Sequence, residues 1–531
     1  MNGHPSEDRI SKIVSNLPQR VSDVAEQWAK SSPEHIALVE ASGTWSYGKL
    51  ARVVLSTEKW LQHLAVRPGD RVMVVCENCR SLVAILFATA AIDAWPVLVS
   101  ARLSSREIDE IREHSGARLV IYTTEISVHA AQHAERHSAI IQEVAELGSL
   151  GVGGFNGNAI PEPLDHEVTD RVAALIYTSG TTGMPKGVML THKNLLYVGA
   201  VSADIRKLSP EDRLYGVLPI SHAVGLSVVL LGSLLSGATL YLAPRFDPVA
   251  ALATIEQKKL TVVLGAPSMF SLLLEYAKLK GAESFNFPSL RIISSSSAPL
   301  QPDLKSDVEE AFGLTLHNGY GITECSPNIA QTRTENPRTD VSVGPIFPGV
   351  EVKLTGVNGR QVGEGEVGEL SVRGPNVMKG YYRNPEETAA AMDAEGWFNT
   401  RDLARLENGS LFIVGRTKEL IVRFGFNVYP AEVEAVLNRH PEIVQSAVIG
   451  QQVSGEDGGE EIVAFVQTLS GSDLTADQLA EYASQRLIPY KRPSKIQFVS
   501  AMPVTPTGKV IKSDLIKMLN TAPIDSTAHI G

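Results

Sequence analysis

The chain has 531 residues, 44 % of them hydrophobic, which is enough for sizeable cores and three or four domain-sized units. Its formal net charge of −11, with no basic tract or stripe, argues against a nucleic-acid partner gripped through its phosphates. Three cysteines, Cys76, Cys79 and Cys325, are too few for a disulfide framework and suit a reducing compartment, so a cytoplasmic location is expected. The polar start MNGHPSEDRI lacks the apolar segment of a secretory signal. Cys76 and Cys79 form a CxxC with no second Cys or His pair nearby, which speaks against zinc.

Between residues 18 and 145, helical patterns alternate with short apolar runs. A helix is expected through VSDVAEQWAKS, a strand at 36–40, a helix from Tyr47 to about Leu64 and a strand at 71–76. The most apolar run, 82–99, is broken by Asp93 and Pro96, so it reads as a buried helix followed by a buried strand rather than a membrane span. A helix at 108–116 and a strand at 119–123 continue the alternation, which predicts a layered α/β domain with a largely parallel sheet. GVGGFNGNAIPEP (151–163) reads as loop by composition.

Next comes YTSGTTGMPKG (177–187), flanked by the expected strands VAALIY (172–177) and VMLT (188–191). Gly180, Gly183 and Gly187 let backbone N–H groups approach an anion; Ser179, Thr181 and Thr182 add hydroxyl donors and Lys186 a point charge. The stretch departs from GxxxxGK[ST], because Gly187 follows Lys186, and it joins two strands instead of opening a helix. A phosphate-gripping loop of another type is the reading.

Downstream, 226–242 reads as helix then strand, and 260–279 as strand, Pro-marked turn and helix. The stretches 290–300 and 315–327 read as strands ending in small polar residues. In open α/β sheets ligands bind beyond the carboxyl ends of strands, so these ends are expected to share one cleft. From about 341 the pattern turns to alternating strands with Gly turns, as in a small barrel or sandwich, and beyond 416–420 a compact α+β unit follows.

YTSGTTGMPKG together with GYGITECSP (319–327), RDLA (401–404), GRTKELIV (415–422) and VTPTGK (504–509) strongly resembles the adenylate-forming acyl-CoA synthetase superfamily, in order and along essentially the whole chain. The resemblance implies an α/β fold: a large N-terminal domain (1–417) of layered α/β sheets with a small β-barrel at about 341–415, then a small mobile α+β domain (418–531). The implied reaction is AMP-forming carboxylate–CoA ligation with ATP, Mg²⁺ and CoA. A carboxylic acid is first converted to an acyl-adenylate, then passed to the thiol. Transfer to a carrier protein or another acceptor, and a weakly active nucleotide-binding homologue, are the alternatives; a homodimer is compatible with the resemblance.

The resemblance also assigns roles. Lys509 matches the lysine bridging carboxylate and α-phosphate, Glu324 the Mg²⁺ ligand and Thr323 a phosphate contact. Tyr320 matches the aromatic stacked on adenine, Asp402 the ribose-binding carboxylate and Arg416 a ribose or phosphate contact. Thr178, Ser179, Gly180, Thr181, Thr182, Gly183, Lys186, Ser297, Asn318, Gly319 and Gly321 complete the nucleotide set. His222 matches a residue between carboxylate and nucleotide that gates the thiol. Lys418 matches the hinge and Gly425 the glycine that leaves room for the pantetheine. The acyl wall then draws on Ala223, Val224, Leu264, Gly265, Phe270, Ser296, Ile322 and Ser326, with no basic residue for a second carboxylate, so an apolar monocarboxylate is implied. GITECSP and GFNVYP resemble fatty-acyl enzymes, whereas VSARLSSREID resembles aryl-CoA ligases, and both classes stay open. One departure is Arg401, where the family has Gly before the ribose-binding Asp. Such an arginine could approach the phosphates, pair with a nearby acid or strain a turn that prefers glycine.

Overall fold

The computed structural model describes residues 5–178, 185–356, 359–423, 426–452, 460–504 and 510–521, with side chains between 10 and 519 of these. Two eight-stranded sheets dominate it. In the first, the strands Val172–Thr178, Trp95–Ser100, Arg71–Cys76 and Leu119–Tyr122 are adjacent and parallel. Every residue of Arg71–Cys76 is buried, the near-continuous apolar run expected of a parallel strand covered on both faces. Antiparallel strands flank this core. Lys186–Thr191 and Gly380–Tyr381 add to one side, Gly148–Gly153 and Ile140–Val144 to the other.

The second sheet runs Asn328–Gln331, Leu316–Gly321, Ile292–Ser295, Val262–Gly265, Arg213–Gly216, Thr239–Leu242, Ile36–Glu40 and Gly43–Ser46, parallel except at its two edge pairs. The expected strand–turn–helix at 260–279 is present, with the helix Pro267–Leu279 starting on its proline.

Three expectations need correction. Residues 151–153, expected as loop, finish the strand Gly148–Gly153. The glycines there permit close packing: a Cβ on Gly151 would lie 3.0 Å from Ala134 Cβ, and one on Gly153 would lie 3.0 Å from Ala139. The helix at 226–242 is irregular, a π-helix over Val224–Leu231 continuing as an α-turn Gly232–Leu235. An almost wholly apolar stretch carries no periodicity that would separate a five-residue from a four-residue hydrogen-bond step.

The β-rich stretch, expected as a small barrel, pairs as a four-stranded antiparallel sheet. Its order is Glu351–Thr355, Gly368–Arg373, Phe398–Glu407 and Ser410–Arg416, and Gly344 bridges to Leu411. Beyond it, strands Ile443–Gln452, Glu460–Thr468 and Lys495–Phe498 with helices Pro430–Leu437, Ala476–Ser484 and Lys512–Thr521 enclose their own apolar clusters around Val448, Val466 and Phe465. No helix among the described residues is long and apolar enough to cross a membrane.

Candidate active site

The phosphate-loop flanks form the expected antiparallel pair, with Tyr177 opposite Gly187 and Thr178 opposite Lys186. Ser179, Gly180, Thr181, Thr182 and Gly183 lie outside the described residues. Lys186 points into a polar cluster that its sequence neighbourhood does not announce. Its Nζ is 2.5 Å from Glu387 Oε2 and 5.3 Å from the centroid of the Tyr381 ring. Tyr381 stands beside it because Gly380–Tyr381 pairs with Lys186–Thr191, Tyr381 facing Val188. The Tyr381 hydroxyl donates to Glu324 Oε1 at 2.9 Å, and burial together with that carboxylate pushes its pKa up.

Glu324 sits in the single turn Thr323–Cys325 that follows the strand Leu316–Gly321, where its backbone carbonyl accepts the Met378 N–H at 2.8 Å. Gly321 has no space for a side chain: a Cβ would lie 2.0 Å from the Pro327 carbonyl oxygen. Among the described residues no three His, Cys, Asp or Glu side chains gather into a metal site. A lone carboxylate that shares Tyr381 with Lys186 has the hard oxygen donors that fit Mg²⁺, which would draw its other ligands from phosphates and water.

The same strand brings Asn318, Gly319 and Tyr320 to the four-stranded sheet. Asn318 is buried, receives the Gly319 N–H on its Oδ1 at 3.0 Å and donates to the Val341 carbonyl at 3.1 Å. The Tyr320 hydroxyl donates to Asp402 Oδ2, while Arg416, opposite Asp402 in the neighbouring strand, lies 3.0 Å from Oδ1. Asp402 is only 3 % exposed, and this pairing supplies the partners that a buried carboxyl needs. Burial opposes the charge on Arg416, but Asp402 and Glu419 outweigh it and its pKa is raised. Arg401 adopts φ +59°, the left-handed conformation that a glycine would hold without strain. Lys418 occupies the short turn Thr417–Glu419 that leaves this sheet. Gly425 and Lys509 lie outside the described residues.

His222 opens the turn into the π-helix, and its Nε2 is buried without a partner among the described residues. Burial pushes its pKa down, so the imidazole is neutral at pH 7. Ala223 is buried and Val224 partly so. Gly225 is required by close approach, since a Cβ would sit 2.0 Å from the Pro219 carbonyl oxygen. Leu264 and Gly265 end their strand, and Ser296 N–H donates to the Gly265 carbonyl at 3.1 Å. Phe270 is buried edge-on against Phe312 and stands behind Gly265. Ser297 is exposed with φ +74°; Ile322 packs on the main core. Ser326 Oγ and Ser295 Oγ are also buried without partners among the described residues. Together with His222 Nε2, these orphaned polar atoms suit a wall that meets a ligand's polar end.

Sequence reading missed Tyr381 and Glu387. Their site partners Glu324 and Lys186 lie 57 and 201 residues away in the chain, and no local pattern links them. The CxxC is structural: Cys79 Sγ caps the helix Arg80–Ala91 by accepting the Leu82 N–H at 3.4 Å, and burial pushes its thiol pKa up to about 12.

Comparison with known proteins places this geometry. The model of the family described as AMP-binding enzyme matches residues 25–382, and the AMP-binding enzyme C-terminal domain matches residues 432–509. A feruloyl-CoA synthase of Amycolatopsis sp. is 35 % identical over 490 residues, 92 % of this chain and 96 % of that protein. The 4-coumarate–CoA ligase 3 of Arabidopsis thaliana is 31 % identical over 520 residues, 92 % of this chain and 89 % of that protein. Among solved structures, ATP-bound MatB from Rhodopseudomonas palustris superposes with TM-score 0.82 at 28 % identity, covering 94 % of this chain and 99 % of that one. The o-succinylbenzoate CoA synthetase of Bacillus subtilis with its acyl-adenylate superposes with TM-score 0.78 at 27 % identity, covering 93 % and 97 %. The chain therefore belongs to the AMP-binding enzyme family, within the adenylate-forming acyl-CoA synthetases.

Proposed function

We propose that this protein ligates an apolar, aryl-type monocarboxylic acid to CoA through an acyl-adenylate. The observation that carries the reading is the meeting of Lys186 and Glu324 at Tyr381, together with the Asp402–Arg416 pair that Tyr320 joins to the strand leading into Glu324. The neutral His222 and the apolar candidate wall suit an apolar acid. Feruloyl-CoA synthase and 4-coumarate–CoA ligase, by their names, act on aryl acids, which favours the aryl class over the fatty one.

In the first step a carboxylate oxygen attacks the α-phosphorus of ATP, and the bond to pyrophosphate breaks. Lys186 and the loop before it hold the β- and γ-phosphates, Asp402 and Arg416 take the ribose, and Lys509 bridges carboxylate and α-phosphate. Glu324 would hold Mg²⁺, which would neutralise phosphate charge as pyrophosphate leaves. In the second step the CoA sulfur attacks the acyl carbonyl and AMP leaves with the bonding pair. Lys509 then has to vacate the cleft, and rotation of 418–531 about Lys418 accomplishes this, with Gly425 beside the pantetheine. The three cysteines, all buried and unpaired, support a reducing cytoplasmic setting; either a monomer or a homodimer accommodates one site per chain.

The test is pyrophosphate release and thioester formation against a panel of aryl and aliphatic acids, with and without CoA. Thioester formation from aryl acids, dependent on CoA, is expected. Lys509→Ala is expected to slow adenylation about 10²–10³-fold, as removal of a preorganised charge-stabilising donor does. An unchanged rate in that variant would sink the mechanism, and turnover restricted to aliphatic acids would sink the substrate class.

A further inference from the structure

Glu387 has no role in the scheme above, yet it touches the cation on which phosphate binding rests. It lies in the first turn of the helix Pro385–Ala391, where the Asn384 side chain accepts its N–H at 3.1 Å and fixes its position. Its Oε2 is 2.5 Å from Lys186 Nζ and 4.0 Å from Arg401 Nη2. The Lys186 side chain is only 12 % exposed and has Tyr381 as its other neighbour, so Glu387 is its principal counter-charge. Lys186, then Arg401 and Lys418, hold the Glu387 carboxyl below the usual carboxylate range, and it is ionised at neutral pH.

This arrangement opposes nucleotide binding twice. Lys186 cannot offer its full charge to a polyphosphate while Glu387 neutralises it, and the carboxylate itself repels the phosphates. Arg401 supplies the remedy from the far side of the same oxygen. An approach of roughly 1 Å would bring its guanidinium to ordinary ion-pair distance, releasing Lys186 without stranding an anion. The arginine is held there at a conformational cost, because a side chain at φ +59° is strained where glycine is not.

We infer that Glu387 and Arg401 form a switch pair that sets the affinity for MgATP: Glu387 masks Lys186 in the nucleotide-free protein, and Arg401 takes over Glu387 when Lys186 turns to the phosphates. Both are positioning residues acting through Lys186, and the inference rests on the proposed phosphate role of Lys186. It also resolves the departure from the family's glycine, since Arg401 then serves an acid that this chain carries.

The experiment measures MgATP binding calorimetrically on the full chain, alongside KM values for ATP, acid and CoA. Glu387→Gln is expected to tighten MgATP roughly threefold to fivefold, the scale of a partly exposed ion pair, and to move KM for ATP rather than KM for the acid. Arg401→Gly is expected to weaken MgATP about threefold in the parent but less than about 1.5-fold in the Glu387→Gln background. Glu387→Asp, which keeps the charge, is expected to restore the dependence on Arg401. Melting temperatures identify any variant that fails to fold, and Glu387→Ala stands in for the glutamine variant in that case. Weaker MgATP binding by Glu387→Gln, or additive effects of the two substitutions, would overturn the inference even if ligation proceeds. The expected coupling in MgATP binding with no acid ligated would instead uphold it while defeating the proposed reaction.

Discussion

His192 is held uncharged inside the fold. Its Nδ1 accepts the Val21 N–H at 3.2 Å, a bond available only to the neutral ring, and the residue is 1 % exposed. Burial first, then Arg20 and Arg171, push its pKa down to about 3. The unfolded chain takes up the proton near pH 6.5 and the folded chain does not, so stability is full above that value and falls as pH drops through the window from about 6.5 to about 3. The slope is at most about 1.4 kcal/mol per pH unit, so urea unfolding at pH 7 and pH 5 is expected to differ by up to about 2 kcal/mol from this residue alone. A His192→Gln variant, although less stable, is expected to show a shallower dependence; an unchanged slope would assign the pH response elsewhere. At this scale the sequence was informative where a motif carried the residue. Glu324, Asp402 and Arg416 were named from motifs that carry the family resemblance, and Asp402 and Arg416 are found paired, whereas Glu387 is invisible until its helix is set against Lys186.

The helix His192–Ile205 begins directly at the end of the phosphate hairpin. Thr191 and Asn194 form a capping box: Thr191 Oγ1 accepts the Asn194 N–H at 3.2 Å and Asn194 Oδ1 accepts the Thr191 N–H at 2.9 Å. Asn194 Nδ2 then donates to the carbonyls of Pro375 and Val377 at 2.8 and 2.9 Å, tying the helix start to the segment that leads into Tyr381. Asn194→Ala removes half the cap and leaves two carbonyls without that donor, and is expected to cost about 2–3 kcal/mol in chemical unfolding. It should also weaken MgATP binding, because the segment carrying Tyr381 loses its anchor; full affinity would show the anchor is irrelevant to the site. Element types were legible wherever periodicity was strong, as in the strand–turn–helix at 260–279. They were not legible where glycine meant close packing, as at Gly151 and Gly153, or where a run was apolar on every face, as in the π-helix.

At the scale of whole units, charged groups of the C-terminal unit gather on the turn that holds Lys418. Lys512 lies 2.9 Å from both Glu419 Oε2 and Glu434 Oε1, joining the last helix to that turn and to the helix Pro430–Leu437. Burial works against its charge, but the two glutamates prevail and its pKa is raised. Lys512→Met would leave two carboxylates facing each other without a cation. It is expected to destabilise the C-terminal unit by on the order of 3 kcal/mol, read as an earlier loss of protease resistance beyond residue 418. Equal resistance in the two proteins would reject this. The order of layers was legible from alternating patterns, but the pairing of Gly380–Tyr381 with Lys186–Thr191 was not, since no local rule selects a strand partner from so far along the chain.

That long-range pairing matters for how the protein is made. From Lys186 to Arg416 the chain runs about 230 residues. At a synthesis rate of about 5–20 residues per second, the hairpin carrying Lys186 emerges roughly 10–50 s before the Asp402–Arg416 pair proposed to complete the nucleotide site. For most of that interval Lys186 has neither Tyr381 nor Glu387 beside it, since Glu387 lies 201 residues further along the chain. Where both halves of the proposed site are needed to bind MgATP, ligand stabilisation reaches the chain only once translation has passed the four-stranded sheet.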